Sequence, residues 1–298
     1  MTMTAPADRR ARLRSAARDP ESWEAMVTVL GPLQIEVGGV SIVPPAMKAK
    51  QLLALLLLNQ GRIVQSRTIE RELWEEPPRN SANAIQNCVM QIRKKLAVAL
   101  GEAGGGPVSK RLLSTESLGY KLNLVTDRSD LRTHRQLVAE ASAAEATGDL
   151  EQASELLKDA LDLWRGAPLA DVFPGPVLYG EITRLNEENK SVLMRRVVLE
   201  LRLRRYAGLI GDLRALIPMD EYDESLHACL MLALHMTGRR NAALAVYRNL
   251  RQGLSENLGL EPSRTLQDLH RKIMVDSSTD PVRLADIPWL TGAGLDVA

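Results

Sequence analysis

The sequence has little of what secreted, membrane or single-strand-binding proteins use. Its 298 residues include two cysteines, Cys88 and Cys229, which argues against a disulfide-stabilised fold and predicts a reducing, cytoplasmic location. Aromatic residues make up 3% of the chain, too few for a protein that stacks single-stranded bases. The apolar run Leu52–Leu58 is far shorter than a membrane span, so no membrane partner is expected.

Residues suited to catalysis or metal binding are also sparse, and the four histidines are spread along the chain. His227 and His235 are eight residues apart with Cys229 between them, which is a weak metal-binding pattern. The glycine-rich segment 101–110 does not have the spacing of a phosphate-binding loop. We therefore predict no enzyme activity, no cofactor and no metal site.

The small net charge of +1 hides an uneven distribution. Residues 48–125 hold 12 Lys and Arg against 6 Asp and Glu, whereas residues 126–298 hold 21 against 26. A basic segment followed by an acidic one predicts a polyanionic partner for the first segment only. The chain is long enough to build two hydrophobic cores, so we expect two domains.

Short strands and three helices are predicted for the basic part of the chain. The β-prone runs are residues 27–30, 33–37 and 40–43, and the helices are residues 48–59, 66–74 and 81–96, with Ser66 and Ser81 as N-caps. Residues 104–107 are predicted to be a flexible connector, and residues 111–114 and 119–124 a final hairpin carrying Lys110, Arg111 and Lys121. This order is typical of a winged helix with an N-terminal β platform.

The third predicted helix has two different faces, set by a rotation of about 100° per residue. Its apolar side chains fall on one side, and these are Ile85, Val89, Ile92 and Leu96. The opposite side carries Asn83, Asn87, Met90 and Lys94, flanked by Gln91, Arg93 and Lys95. Carboxamides can bind adenine edges, and Lys and Arg can bind guanine or phosphate, so this face is suited to double-stranded DNA. An ordinary solvated face is the alternative.

Almost everything beyond a polar hinge at residues 127–130 is predicted to be helical. The helices are expected near residues 130–146, 149–164, 177–205, 207–217, 223–236, 239–257 and 263–275. Turns at Gly148 and Gly238 join helices in pairs that resemble tetratricopeptide units of roughly 34 residues, with an irregular period. Residues 1–25 and 276–298 are predicted to be a disordered tail and a loose tail.

Several short motifs in this order resemble the Streptomyces antibiotic regulatory proteins. In the first half they are Leu30–Leu33, Leu52–Leu58, Leu73–Pro78, Ile92–Leu96 and Gly119–Leu122. In the second half they are Leu163–Ala170, Leu230–Leu234, Gly238–Ala242 and Leu258–Pro262. The resemblance covers about residues 26–275 and implies an OmpR-type winged helix (26–125) followed by a tetratricopeptide-like bacterial transcriptional activation domain (130–275). The expected fold class is therefore mainly α with a small β platform and wing.

Asn83 and Asn87 are the first candidates for base readout, because they lie one turn apart on the outward face. Asn83 has an alternative role in supporting the start of the helix. Phosphate contacts are expected from Arg93, Lys94, Lys110 and Arg111, with plain solvated charge as the alternative. The family usually has Arg where this chain has Gln91, an aromatic residue at Cys88, and a basic residue at Glu116 on the wing. These departures imply a target sequence of its own.

The resemblance also assigns contacts outside the third helix. Tyr120 matches the wing tyrosine that leans on the DNA backbone, although packing against the hairpin is the alternative. Trp74 matches a position whose indole N–H meets a phosphate, although packing in the core at the end of the second helix is an equal alternative. The loop 75–80, with Glu75, Glu76 and Arg79, matches the segment that faces RNA polymerase, including a basic partner such as sigma region 4. A simple turn between helices is the alternative for this loop.

The resemblance implies a DNA-binding transcriptional activator of antibiotic or other secondary-metabolite gene clusters. Two protomers are expected on direct repeats roughly 10–10.5 bp apart, near the −35 promoter region, with recruitment of RNA polymerase. The alternative from another class is a helical scaffold whose winged helix binds protein. A repressor with the same DNA-binding domain also fits the residues.

Overall fold

The computed structural model describes residues 25–102, 106–124, 126 and 128–275. The expected loose tail at 276–298 lies outside these residues, as do residues 1–24 of the N-terminal tail and residues 104 and 105 of the predicted connector. Ala25, assigned to that tail from the sequence, belongs instead to the first strand, where it is fully buried.

The β platform is a four-stranded sheet. Strands β1 (Ala25–Thr28), β2 (Gln34–Val37) and β3 (Val40–Ser41) pair antiparallel, with Val27 opposite Ile35. A further strand, β7 (Arg128–Ser129), pairs in parallel with β1. The platform was predicted, but β7 was not, because two residues are too few to show a strand period.

Three helices and a second sheet form the winged helix. The helices are α1 (Met47–Leu58), α2 (Ser66–Leu73) and α3 (Ser81–Ala99), and the sheet has the order β4 (Ile63–Gln65), β6 (Gly119–Leu122), β5 (Leu113–Glu116). Strands β5 and β6 form the expected hairpin, which is called the wing below. Strand β5 lies at the edge of this sheet. Strand β4 was missed because it is only three residues long.

The structure corrects three local predictions. Ser66 and Ser81 are the first residues of their helices, and the N-cap positions belong to Gln65 and Asn80. The Ser81 hydroxyl instead donates to the Glu70 carboxylate at 2.5 Å, which joins the start of α3 to α2. The segment predicted to start the hairpin is the helix α4 (Pro107–Leu112), which begins with proline in the first turn, a favourable place for it.

The rest of the described chain is helical, as predicted. The helices are α5 (Asp130–Thr147), α6 (Leu150–Asp162), α7 (Pro176–Arg202), α8 (Tyr206–Leu216), α9 (Glu224–Met236), α10 (Arg240–Gly253) and α11 (Arg264–Val275). A 3-10 turn (Ile217–Met219) follows α8 and a π turn (Leu254–Leu258) follows α10. In the described residues no helix is both long and apolar enough to cross a membrane.

The chain divides into two compact units. Unit 1 contains residues up to 139 together with 159–191, and unit 2 contains residues 140–158 and those from 192 onward. Leu169, Val172 and Leu178 are therefore part of the same core as the winged helix. Each compact unit is therefore built from two separate stretches of the sequence.

Unit 1 is joined by carboxylates that accept hydrogen bonds from distant backbone. Glu72, on α2 and almost fully buried, accepts from the N–H groups of Gly175, Val177 and Leu178 at 2.7–3.1 Å, at the start of α7. Asp130 accepts from Val29 and Leu30, and Asp171 from Leu33. These bonds satisfy backbone donors that would otherwise be left unpaired.

Candidate nucleic-acid interface

The two predicted faces of α3 are present in the structure. Its inward residues are at most 2% exposed and pack in the unit 1 core; they are Ile85, Val89, Ile92 and Leu96. On the opposite face Asn83, Asn87 and Lys94 are exposed, and Met90 is 62% exposed. The inward residues fix the rotation of the helix, so the polar stripe faces solvent as a continuous surface.

The outward stripe offers the functional groups that read a major groove. The two carboxamides, one turn apart, can each donate and accept on a base edge, while Lys94 adds a positive charge further along the helix. Gln91 is exposed on the flank of the same stripe. A base edge presents both donors and acceptors. A face with carboxamides and a lysine is therefore better suited to reading DNA bases than a purely cationic face.

The wing holds Tyr120 in an almost fully buried position. Tyr120 lies on β6, opposite Thr115 of β5 and Val64 of β4, and is 8% exposed. Of the two alternatives left open by the sequence, this burial supports packing within the sheet for most of the ring. Glu116, the unusual wing carboxylate, accepts from the Ser114 hydroxyl at 2.6 Å.

Lys110 and Arg111 lie on α4 and not on the hairpin, which corrects the expected position. Both side chains are exposed in the last turn of this short helix. Glu102 caps the start of α4 by accepting from Val108 and Ser109 at 2.9 and 3.0 Å, a favourable place for a carboxylate. The two cations are thus held next to the wing by a capped helix.

Arg93 makes direct hydrogen bonds to the wing. Its Nε and Nη2 donate to the Leu113 carbonyl at 3.0 and 2.7 Å, and Nη2 also donates to the Thr115 hydroxyl at 2.9 Å. Burial lowers the pKa of this guanidinium, and nearby Tyr120 raises it in part. Lys94, the next residue, is exposed.

A concave surface of about 640 Å³ lies between α3 and the wing. It is lined by Gln86, Val89, Met90, Arg93, Lys94, Lys110, Thr115 and Tyr120. The structure therefore brings together four of the predicted DNA contacts, and adds Gln86 and Met90. Met90 could have been selected from the sequence, because it follows the Asn83 and Asn87 spacing.

Trp74 lies apart from this surface, at the end of α2. It is partly buried against the unit 1 core and lines a cleft of about 520 Å³, whose other wall includes Phe173 and Tyr179. Phe173 and Tyr179 are 68% and 66% exposed. Glu75, Glu76 and Arg79 follow Trp74 in an exposed loop, and Glu75 also lines the cleft.

Metal and thiol chemistry gain no support from the arrangement of side chains. Within the described ranges no group of three or more His, Cys, Asp or Glu is placed to hold a metal ion. His227 Nδ1 lies 3.0 Å from the Asp223 carbonyl oxygen, which is a helix contact. Burial raises the pKa of both cysteine thiols, so neither is activated as a thiolate.

Comparison with known proteins finds two family matches that follow each other along the chain. Residues 43–122 match the family described as "Transcriptional regulatory protein, C terminal", and residues 129–274 match the "Bacterial transcriptional activator domain". The regulatory protein DnrI of Streptomyces peucetius is 38% identical over 249 residues, which is 83% of this chain and 91% of DnrI.

Two further relatives are longer than this chain. The regulatory protein AfsR of Streptomyces coelicolor is 34% identical over 87% of this chain, which spans only 25% of AfsR. A solved structure of EmbR from Mycobacterium tuberculosis, in complex with a low-affinity phosphopeptide, matches with a TM-score of 0.77 and 27% identity. That match covers 91% of this chain and 70% of the EmbR chain.

Proposed function

The chain belongs to the Streptomyces antibiotic regulatory protein family of DNA-binding transcriptional activators, and we propose that it binds direct repeats near the −35 region of its target promoters and recruits RNA polymerase there. The observation that carries this proposal is the exposed stripe of α3 beside a basic wing region. In this arrangement α3 enters the major groove and the hairpin approaches the adjacent minor groove. The regulated genes would belong to an antibiotic or other secondary-metabolite cluster.

The proposed contacts fall into two classes. Asn83 and Asn87 read bases, with Gln91 at the edge of the same surface, because carboxamides can pair with base edges. Lys94, Lys110 and Arg111 hold phosphates, which sets affinity and register without reading sequence. Tyr120 contributes its ring to the wall of the α3–wing surface, and Trp74 remains a candidate for a phosphate contact.

Pairing of two protomers is tested by the spacing of the repeats. Head-to-tail protomers on one face of the duplex require repeats roughly one helical turn apart. Inserting about 5 bp, half a turn, between the repeats moves the second protomer to the opposite face, so cooperative binding should be lost. Inserting about 10 bp should restore the shared face. Equal cooperativity at all three spacings would contradict the pairing.

Polymerase recruitment is proposed for the loop 75–80. Two observations support it: Glu75 and Glu76 are exposed, and the neighbouring cleft presents Trp74 and exposed aromatic residues of the kind enriched at protein interfaces. Changing Glu75 and Glu76 to Lys should reduce transcription in vitro while leaving promoter affinity equal to wild type or higher. Full transcription by this variant would place the polymerase contact elsewhere.

A salt titration of DNA affinity distinguishes the DNA-binding function from the alternative of a protein-binding scaffold. A DNA-binding winged helix releases counterions, so its affinity should fall steeply with salt, by about 0.9 in log–log slope for each phosphate contact. If the winged helix binds protein instead, the chain should show no DNA affinity that falls linearly with salt on a log–log scale. The matched families are those of transcriptional regulators, which favours the DNA-binding function.

A further inference from the structure

We infer that Arg93 is a positioning residue that holds the wing against the reading helix, and that it acts through β5 instead of through a phosphate. The inference rests on the proposed DNA-reading function of α3. It concerns the distance between the two elements that approach DNA, α3 in the major groove and the hairpin in the minor groove.

The hydrogen bonds of Arg93 lead to strand β5. Its guanidinium donates twice to the Leu113 carbonyl and once to the Thr115 hydroxyl, over distances of 2.7–3.0 Å. Leu113 and Thr115 both lie on β5, so all three hydrogen bonds join α3 to this strand. A single side chain of α3 therefore contacts the wing at two positions.

The edge position of β5 explains why an arginine is needed. In the order β4-β6-β5, the outer side of β5 has no strand partner among the described residues, so its outward carbonyl groups can accept from a side chain. Arginine supplies several N–H donors in a rigid plane, and two of them can meet one carbonyl while one also reaches a hydroxyl. Lysine has the same charge but a single donor atom, so it cannot reproduce this geometry.

The next residue provides an internal contrast. Lys94 is exposed, whereas Arg93 is partly buried and burial lowers the pKa of its guanidinium. A residue that holds phosphate should depend on its charge, and a residue that holds the wing should depend on its shape. Substitutions that separate charge from shape therefore distinguish the two roles.

The first experiment measures amide hydrogen exchange in the full chain without DNA. Arg93→Lys keeps the charge and should speed exchange in the β5–β6 hairpin about tenfold or more, because it removes charge-assisted hydrogen bonds. Exchange in α1 and in the buried part of α3 should stay at wild-type values. The matched control is Lys94→Gln, which should leave exchange in the hairpin unchanged.

Thr115→Val is a second variant that keeps Arg93 intact and removes one acceptor. Valine has nearly the same shape as threonine and is favoured in strands, so the hairpin should still form. It should speed hairpin exchange by less than Arg93→Lys does. Added to Arg93→Lys, it should have almost no further effect, because the shared bond is already lost.

The second experiment measures DNA affinity of the same variants against salt. Arg93→Lys and Arg93→Gln should weaken specific binding to a similar extent, whereas Lys94→Gln should lower the log–log salt slope by about 0.9. If Arg93→Lys exchanges and binds like wild type while Arg93→Gln loses affinity and slope, Arg93 is a phosphate contact and the inference is overturned. Faster hairpin exchange with unchanged DNA affinity also overturns it. If wild type shows no sequence preference at all, it is the proposed function that fails.

Discussion

The two compact units are stabilised in different ways. In unit 1, Glu72, Asp130 and Asp171 accept hydrogen bonds from backbone groups about 100 or more residues away in the sequence. In unit 2, the core consists mainly of apolar side chains from α7 to α11, and the buried carboxylate Glu200 accepts from the Ser154 hydroxyl and lies 3.8 Å from the Arg205 guanidinium. Unit 1 should therefore be sensitive to single polar substitutions, and unit 2 to losses of apolar volume.

Replacing Glu72 by Ala should have the largest effect on stability. The change leaves three N–H groups at the start of α7 without their acceptor in a buried site, and opens space beside them. We expect unit 1 to lose about 4 kcal/mol in free energy of unfolding. The measurement is urea denaturation, with amide hydrogen exchange in α1 reporting on unit 1. The control is Glu75→Ala, which changes an exposed carboxylate three residues further along the chain and should have little effect.

Leu234→Ala should destabilise unit 2 by about 3 kcal/mol, because this fully buried side chain would leave a cavity. The loss should be seen as faster amide exchange in α9 and α10, with α1 unchanged. If α1 and α9 lose protection together in this variant, the two units unfold as one and the contrast between them is removed.

The apolar part of this comparison was visible in the sequence. Ile85, Val89, Ile92 and Leu96 follow a helical period, and the period alone predicted both the buried face of α3 and the exposed one. The helices after residue 130 were found in the same way, since long apolar periods survive small errors at their ends. The order of the predicted elements gave a winged helix followed by a helical domain, and the family resemblance then implied the OmpR type and the transcriptional activation domain.

The polar part could not be predicted from local sequence. Glu72 sits in an ordinary helical segment, and nothing near it shows that its partners are residues 175–178. Arg93 was expected to face phosphate because its spacing and charge fit; its bonds to β5 depend on the three-dimensional position of the wing. Helix α4 was missed, and its last two residues were predicted as strand, because six residues after a glycine run carry too little periodicity.

Asp171→Asn should give a smaller, pH-dependent loss. Burial raises the pKa of Asp171, but hydrogen bonds from Lys50 Nζ and the Leu33 N–H outweigh it, so the folded-state pKa is lowered. Its stabilisation is therefore present above the unfolded pKa of about 4 and is lost as pH falls through the lower folded value. We expect about 0.5 kcal/mol at neutral pH, because solvent screens this partly exposed pair.

The test of Asp171 is the difference in free energy of unfolding between wild type and Asp171→Asn, measured from pH 7 to pH 2. This gap should close at the acid end. A gap that stays constant, or widens in acid, would mean that the charge of Asp171 is not the source of stability.

The smallest effect is expected for an ion pair of unit 2. Arg251 and Glu261 are joined by two hydrogen bonds at 2.8 and 3.1 Å, but both side chains are exposed, and water and salt weaken such pairs. Glu261→Gln should leave the midpoint of thermal unfolding unchanged within error at physiological salt. A clear loss would show that unit 2 also depends on specific polar contacts.

The most direct test of the central claim is selection of genomic or random DNA by the full chain, comparing wild type with the double variant Asn83→Ala, Asn87→Ala. The expected result is that wild type enriches a short direct repeat from promoters and the double variant loses or changes that sequence. Both proteins should fold equally well, because the two side chains are exposed. Identical enriched sequences for the two proteins would contradict base reading by this face of α3.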